Sequence, residues 1–334
     1  MKILNAGIVG CGGFTRGMTV PVLSKNPKYR IRAVADIDEQ AAKTVAADTG
    51  AINYAGDIDR LLGDADIDAV FINTRHNTHA ELSVRAANAK KHILCEKPMG
   101  LSRGECRAVA EAVRFNGVKY CIGYNRGMAP MITRARELLA GQPEKKMAYH
   151  RIQAPFPAEH WTHLPHVGGG RFVGEGCHIF DMFCELIGCP PVSVYASGGT
   201  FLAPEDVKIP DSACVTLTFA DGSVCVTLIA SAGCPSFPKE ATEIYCAGRA
   251  IFINDFKAME YYGYEGRKKT ELIFDETDKG HSVEADLFAN AIIDDTPPPN
   301  GIAQAARAAV ISYKVNESIA SGSAVPISEN DYAF

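Results

Sequence analysis

No C-x-x-C pair occurs among the 11 cysteines, and their number is odd. A zinc ribbon, a redox dithiol and a disulfide framework are therefore not expected. The thiols read as reduced, most of them small buried apolar groups, in a cytoplasmic chain. No apolar run approaches the ~18 residues a membrane span requires, because Gly, Asp, Thr or Lys interrupts every candidate. The opening stretch through Val9 imitates a secretory leader, but Asn5 and four glycines by Gly13 break it before any cleavage site. Runs of like charge stop at Arg267-Lys268-Lys269, and 34 Lys and Arg against 39 Asp and Glu give a net charge of -5. No nucleic-acid footprint and no membrane partner are expected from such a balance. Tryptophan occurs once, at Trp161, and neither repeats nor low-complexity tracts are visible.

What is present is a globular chain. Its 334 residues, 47% hydrophobic and 22% charged, suit two domains of about 150 residues each. Up to residue 124 short β-branched runs alternate with helical patterns, the signature of a parallel sheet with crossover helices. Strands are read at Ile3–Val9, Ile31–Ala35, Ile52–Tyr54, Ala69–Asn73, His92–Cys95 and Val118–Ile122. Helices are read at Ile37–Thr49, where Asp36 or Asp38 can cap, and at Thr78–Ala89. The pattern changes after Tyr124. A helix at Pro130–Leu139, a strand at Met147–Gln153 and a helix at Cys177–Ile187 precede a strand-rich stretch from Val192 to about Phe274. Its clearest hairpin joins Ala213–Phe219 to Ser223–Ala230 through Ala220-Asp221-Gly222. Ala213, Val215, Leu217 and Phe219 form an apolar face there, and Cys214, Thr216 and Thr218 a semi-polar one that meets solvent or a second subunit. Helices at His281–Ile293 and Ile302–Ile319 close the chain. The expected class is α/β: a doubly wound domain over 1–124, then an α+β domain over 125–334 with an open, mainly antiparallel sheet, its final helices free to pack back on the first domain.

The chemistry-bearing segments fall where a doubly wound sheet binds ligands. The first strand runs into Gly10-Cys11-Gly12-Gly13-Phe14-Thr15. Gly10 would make the tight turn, Gly12 and Gly13 would let the backbone approach a pyrophosphate at the helix N-terminus, and Thr15 stands where a third small residue is usual. Asp36 ends the second strand and suits the ribose hydroxyls; no Arg follows it to receive a 2′-phosphate, so NAD is expected over NADP. At the carboxyl ends of the fourth and fifth strands lie Asn73-Thr74-Arg75-His76-Asn77-Thr78-His79 and Cys95-Glu96-Lys97-Pro98. Thr74, His76, His79, Glu96 and Lys97 are expected to border the nicotinamide.

Glu96-Lys97-Pro98, with the Gly10 loop and Asp36, resembles the glucose-fructose oxidoreductase / inositol dehydrogenase / MocA family, Gfo/Idh/MocA. Gly123-Tyr124-Asn125-Arg126 resembles its domain-junction motif, and Gly169-Gly170 through His178 and Asp181 its catalytic helix. The resemblance implies a Rossmann domain binding NAD(P), with Lys97 at cofactor and substrate and His178 as acid/base. Arg75, His76 and Gly127 depart from the family's frequent Pro, Asn and second Arg. The carboxylate usual four residues before the catalytic His falls on Gly174, with Glu175 beside it as the candidate. The family also implies a homodimer or homotetramer.

Elementary chemistry agrees with these roles. Oxidising a secondary alcohol needs a base for the hydroxyl proton, a task suited to imidazole with its pKa near ~6.5, and a positive charge beside the developing alkoxide, suited to Lys97. Asp181, three residues after His178 on one helix face, is expected to orient the ring. His160, His163 and His166 suggest a metal, but Pro165 interrupts their spacing and no second cluster follows; no metal is expected. Trp161 can lie against the apolar face of a sugar while His160 bonds hydroxyls, and Tyr124, Asn125, Arg126 and Arg171 are further substrate contacts. The reading is an NAD-dependent oxidoreductase acting on a secondary hydroxyl of a sugar, sugar derivative or inositol, or reducing the ketone. Alternatives are a glycosidase with retained NAD and transient redox chemistry, and a non-catalytic NAD-binding regulator.

Overall fold

The computed structural model describes residues 2–155, 157–203 and 205–334. Two compact units emerge, one of residues 1–124, 281–306 and 334, the other of residues 125–280 and 307–333. The second half of the chain is thus divided, with the helix His281–Ile293 belonging to the first unit.

In the first unit, strands β1 (Leu4–Val9), β2 (Tyr29–Ala35), β3 (Ile52–Asn53), β4 (Ala69–Ile72), β5 (His92–Cys95) and β6 (Tyr120–Ile122) form one sheet in the order β3-β2-β1-β4-β5-β6. Every pair is parallel. Both faces of such a sheet are covered, which is why β4 is buried at all four positions and reads as an unbroken apolar run. The strand order reverses between β1 and β4, the place where open parallel sheets in general bind ligands beyond the strands' carboxyl ends. Helix α1 (Val20–Lys25) follows β1 through a π-helical turn at Thr15–Thr19. Helix α2 (Glu39–Thr49) is capped by Asp38, whose carboxylate accepts the N–H of Gln40 and Ala41. Helix α3 (Ile58–Gly63) follows β3, α4 (His79–Asn88) follows β4, and α5 (Arg103–Asn116) follows β5. Phe71 anchors the core, edge-on to Tyr29 at 5.5 Å and to Phe288 at 6.3 Å. Burying such a ring is worth ~1.5–3 kcal/mol.

In the second unit, α6 (Pro130–Leu139), β7 (Met147–Gln153), α7 (Cys177–Ile187) and β8 (Pro191–Gly199) are followed by β9 (Ser212–Phe219), β10 (Val224–Ala230), β11 (Glu240–Cys246), β12 (Arg249–Asn254), β13 (Ala258–Tyr262) and β14 (Lys269–Ile273). Helices α8 (His281–Ile293) and α9 (Ile302–Ser321) and strand β15 (Val325–Pro326) complete the chain. The sheet runs β14-β13-β12-β11-β7-β10-β9-β8-β15 and is antiparallel except that β7 lies parallel to β10. Alternation along the β9–β10 hairpin is as the sequence pattern indicates: Ala213, Val215, Leu217 and Phe219 are buried, while Cys214 is exposed and Thr216 and Thr218 half-buried. Every residue of α7 except Glu185 is buried, so this helix carries His178 and Asp181 inside an apolar layer with Phe180, Phe183 and Ile229.

Candidate active site

The glycine loop is set by backbone demands. Gly10 has φ of +94°, and a Cβ on it would lie 2.7 Å from the Asn73 carbonyl group, so no other residue fits. Gly12 and Gly13 face open space, with nothing within 4 Å of a would-be Cβ. That leaves the open backbone approach a pyrophosphate would need. Thr15 is fully buried and takes a structural part in the loop: its hydroxyl donates to the Gly10 carbonyl at 2.5 Å and accepts from the Asn73 amide at 2.9 Å. Asn73 also donates to the Thr19 hydroxyl at 3.0 Å, a role that spacing alone does not signal. The Asp36 carboxylate accepts the Cys11 N–H at 2.5 Å and the Asp38 N–H at 2.8 Å. It is thereby aimed along the loop rather than capping α2, and each oxygen keeps a lone pair for a ribose hydroxyl. Phe14 is exposed beside this loop, its ring centre 6.1 Å from that of His281.

At the ends of β4 and β5, Thr74, Glu96 and Lys97 are half-buried and His76 is buried. The Thr74 and Thr78 hydroxyls are 2.7 Å apart. A Cβ at Gly123 would lie 2.9 Å from Glu96 Oε1, so a larger residue there would displace that carboxylate. One cofactor-contact expectation requires correction. His79 is fully buried, with Nδ1 2.8 Å from the Pro98 carbonyl oxygen and Nε2 3.0 Å from that of Thr74. Both ring nitrogens face backbone carbonyls inside the protein, and neither is exposed to a ligand.

The second unit holds a buried ion network that the sequence did not reveal. Arg126 presents Nε to Glu240 Oε2 at 2.7 Å and Nη2 to Glu240 Oε1 at 3.0 Å, and Nη2 also lies 3.2 Å from Glu175 Oε1. Lys279 joins Glu240 at 2.5 Å, and Lys239 joins Glu175 at 3.3 Å. Burial would raise the Glu240 carboxyl, but the charges of Arg126 and Lys279 outweigh it and hold the group well below the carboxylate range. His150, bonded to the Thr242 hydroxyl at 2.8 Å, is pushed down to about 3 by burial. These geometries correct four expectations. The Arg126 fork is occupied by carboxylates, not open to a polyol, and Glu175 is an ion-pair partner rather than a lone acid or base. Tyr124 is buried with its hydroxyl 3.4 Å from the Ala305 carbonyl, and Asn125 donates to the Lys279 carbonyl at 2.7 Å.

His178 is buried on the first turn of α7, directly after a π-helical turn at Phe172–Gly176. Such turns are frequent at functional sites because they re-aim the following residues. Asp181 does not orient this imidazole. Its oxygens accept no hydrogen bond among the described residues, a Cβ at Gly127 would lie 3.5 Å from Oδ2, and the nearest cation is Arg307 Nη2 at 4.0 Å from Oδ1. Burial raises its carboxyl to about 8, against the pull of Arg307. Arg171 is buried close to Glu175, burial pushing the guanidinium down.

The loop before that helix folds back on itself. His160 caps the short turn Trp161–His163, and its ring lies 5.4 Å from the Trp161 ring, tilted by 33°. Both are half-buried. Gly168 is obligatory, since a Cβ would sit 2.2 Å from the Thr162 Cα. Gly169 and Gly170 have φ of +72° and +86°, and Gly170 donates to the Thr162 carbonyl at 2.9 Å. His163 is buried and His166 exposed. Among the described residues no three His, Cys, Asp or Glu side chains are placed to hold a metal, and no helix is long and apolar enough to cross a membrane.

Comparison with known proteins follows the same division. The model of an oxidoreductase family with an NAD-binding Rossmann fold, GFO/IDH/MocA, matches residues 4–124, and the model of its C-terminal domain matches residues 133–251. The chain is 32% identical to the uncharacterized oxidoreductase YrbE of Bacillus subtilis (strain 168), over 67% of this chain and 66% of that protein. It is 33% identical to the inositol 2-dehydrogenase of Rhizobium meliloti (strain 1021), over 65% of each. The matched stretch thus spans just under two thirds of these relatives. A levoglucosan dehydrogenase solved with NADH and levoglucosan superposes with a TM-score of 0.87 at 21% identity, covering 98% of this chain and 100% of that one.

Proposed function

The chain belongs to the GFO/IDH/MocA oxidoreductase family, and from that membership we propose that it is a dehydrogenase of sugars, sugar derivatives or inositols that uses NAD in preference to NADP. It interconverts a secondary hydroxyl and the ketone. The observation that carries this reading is the glycine loop open at Gly12 and Gly13 with the Asp36 carboxylate fixed along it by the Cys11 and Asp38 amides. A carboxylate there accepts from free ribose hydroxyls and repels a 2′-phosphate. The dinucleotide, when bound, supplies the hydride acceptor. His178 takes the hydroxyl proton as the carbon–hydrogen bond breaks, and the Lys97 ammonium stabilises the developing alkoxide. Trp161 and His160, half-buried with their rings tilted against each other, offer an apolar plate and a hydrogen-bonding edge to the substrate.

Two further features support a setting for this activity. No disulfide joins any two of the eleven cysteines, which suits a reducing, cytoplasmic compartment. The outer face of the second unit's sheet presents half-buried Val224, Val226 and Leu228 together with Tyr149 and Phe252, an apolar surface suited to a second copy of the chain.

The test is NADH formation by the purified protein supplied with NAD, across inositols, aldoses, amino sugars and uronic acids. Steady formation with one class is expected, with NADP at least ~10-fold poorer in kcat/KM, as repulsion of its 2′-phosphate requires. Tightly held NAD with no net reduction, together with cleavage of a glycoside, would replace the reading with a redox-assisted glycosidase.

A further inference from the structure

His79 opens α4 with its imidazole wholly inside the first unit. The two carbonyls that face its ring nitrogens belong to different loops. Thr74 follows β4, and Pro98 follows β5 and is bonded directly to Lys97. The ring therefore spans the two strand ends and holds the Lys97 peptide against the Thr74 loop. An apolar side chain could fill the same space without requiring any proton, so a buried imidazole is a costly choice for packing alone. Carbonyl oxygens only accept, so each contact is a bond only while that nitrogen carries hydrogen. Burial lowers the proton affinity of the ring, with the Lys97 charge adding to that and the two carbonyls opposing. A neutral ring donates to one carbonyl and turns a lone pair to the other. The shorter contact is the one to Pro98, at 2.8 Å against 3.0 Å.

We propose that His79 is a positioning residue for Lys97, fixing the Pro98 carbonyl and hence the backbone from which the Lys97 amine extends. This rests on the reading of Lys97 as the group that stabilises the alkoxide. Buried as it is, His79 touches neither substrate nor cofactor. Its effect passes through the placement of the amine, where an error near 1 Å costs ~10²-fold in rate.

The side-chain amides distinguish the two contacts. An Asn nitrogen takes the place of Nδ1 and keeps the donor to Pro98; a Gln nitrogen takes the place of Nε2 and keeps the donor to Thr74; Leu keeps neither. kcat, KM and NAD affinity are measured for His79→Asn, His79→Gln and His79→Leu at a temperature where circular dichroism shows all of them folded. The expected result is a loss of ~10–100-fold in kcat for His79→Leu and His79→Gln with NAD affinity within ~3-fold of the parent, and recovery of most of that kcat in His79→Asn. Equal kcat in the Asn and Gln variants, or kcat that merely follows Tm, overturns the proposal. A second readout is independent of turnover: the pH profile of trace acetylation of the Lys97 amine, read by peptide mass spectrometry. It should shift in the Leu and Gln variants and match the parent in His79→Asn; an unchanged profile in all three overturns the proposal. If the parent protein reduces no NAD with any polyol, the dehydrogenase reading fails while the labelling still decides the role of His79.

Discussion

Removing the Thr15 hydroxyl takes a donor from the Gly10 carbonyl and leaves the Asn73 amide with Thr19 alone. Thr15→Val, of similar shape, is expected to lower stability by ~1–3 kcal/mol in urea unfolding, the cost of buried polar groups left short of partners; an unchanged midpoint would contradict the role given to Thr15. Two carboxyls predict opposite pH responses. Glu240 is held below its ordinary range, so its contribution is complete above the unfolded pKa of ~4.3 and disappears as pH falls through the depressed folded value. Glu240→Gln should therefore cost ~3–5 kcal/mol near neutrality, with the difference from the parent closing in strong acid. Asp181 is raised to about 8, so the folded state retains a proton that the unfolded chain has lost, and stability falls between ~4 and that value. Asp181→Asn should remove this slope, raise Tm most at the alkaline end, and leave kcat within a few-fold, since no bond joins Asp181 to His178. A ~10²-fold loss of kcat would return Asp181 to the catalytic set.

At the scale of elements, α1 and α7 are each preceded by a π-helical turn, at Thr15–Thr19 and at Phe172–Gly176. Apolar periodicity located the following helix at Cys177–Ile187 but not the turn, because one widened turn changes the hydrogen-bond partners without disturbing which residues are apolar. Strand positions were legible from β-branched runs, and the β9–β10 hairpin from Asp221-Gly222. The parallel pairing of β7 with β10 was not, since it joins Met147–Gln153 to a strand more than 70 residues later in register with no local turn to announce it. Gly168–Gly170 is the tightest part of its loop. Gly168→Ala should prevent the loop from closing on Thr162, because its Cβ would lie 2.2 Å from a backbone atom. The expected outcome is a large loss of kcat/KM with protease sensitivity at residues 160–170; a fully active variant would contradict the assignment of this loop to substrate.

Across the whole molecule, what the sequence offered as a candidate site lies in contiguous motifs: the Gly10 loop, Asp36, Glu96-Lys97-Pro98 and the His178 helix. What it concealed was assembled from distant segments. Arg126 and Glu240 are 114 residues apart and Lys279 a further 39, and only folding brings the three charges together. Arg126 looked available to a substrate because a sequence does not display its partners. His79 was misread for the same reason, its two carbonyl neighbours being supplied by separate loops. The division of the chain is similarly non-local, with the helix His281–Ile293 returning to the first unit through Phe288.

The most direct test of the proposed dehydrogenase is the pair of measurements kcat and NAD dissociation constant for Lys97→Ala, on whichever substrate the screen above finds the parent protein to oxidise. A fall of ~10²–10⁴-fold in kcat with NAD affinity within ~3-fold is predicted, as for a group that acts on developing charge rather than on binding. Normal turnover by that variant would contradict the assigned chemistry.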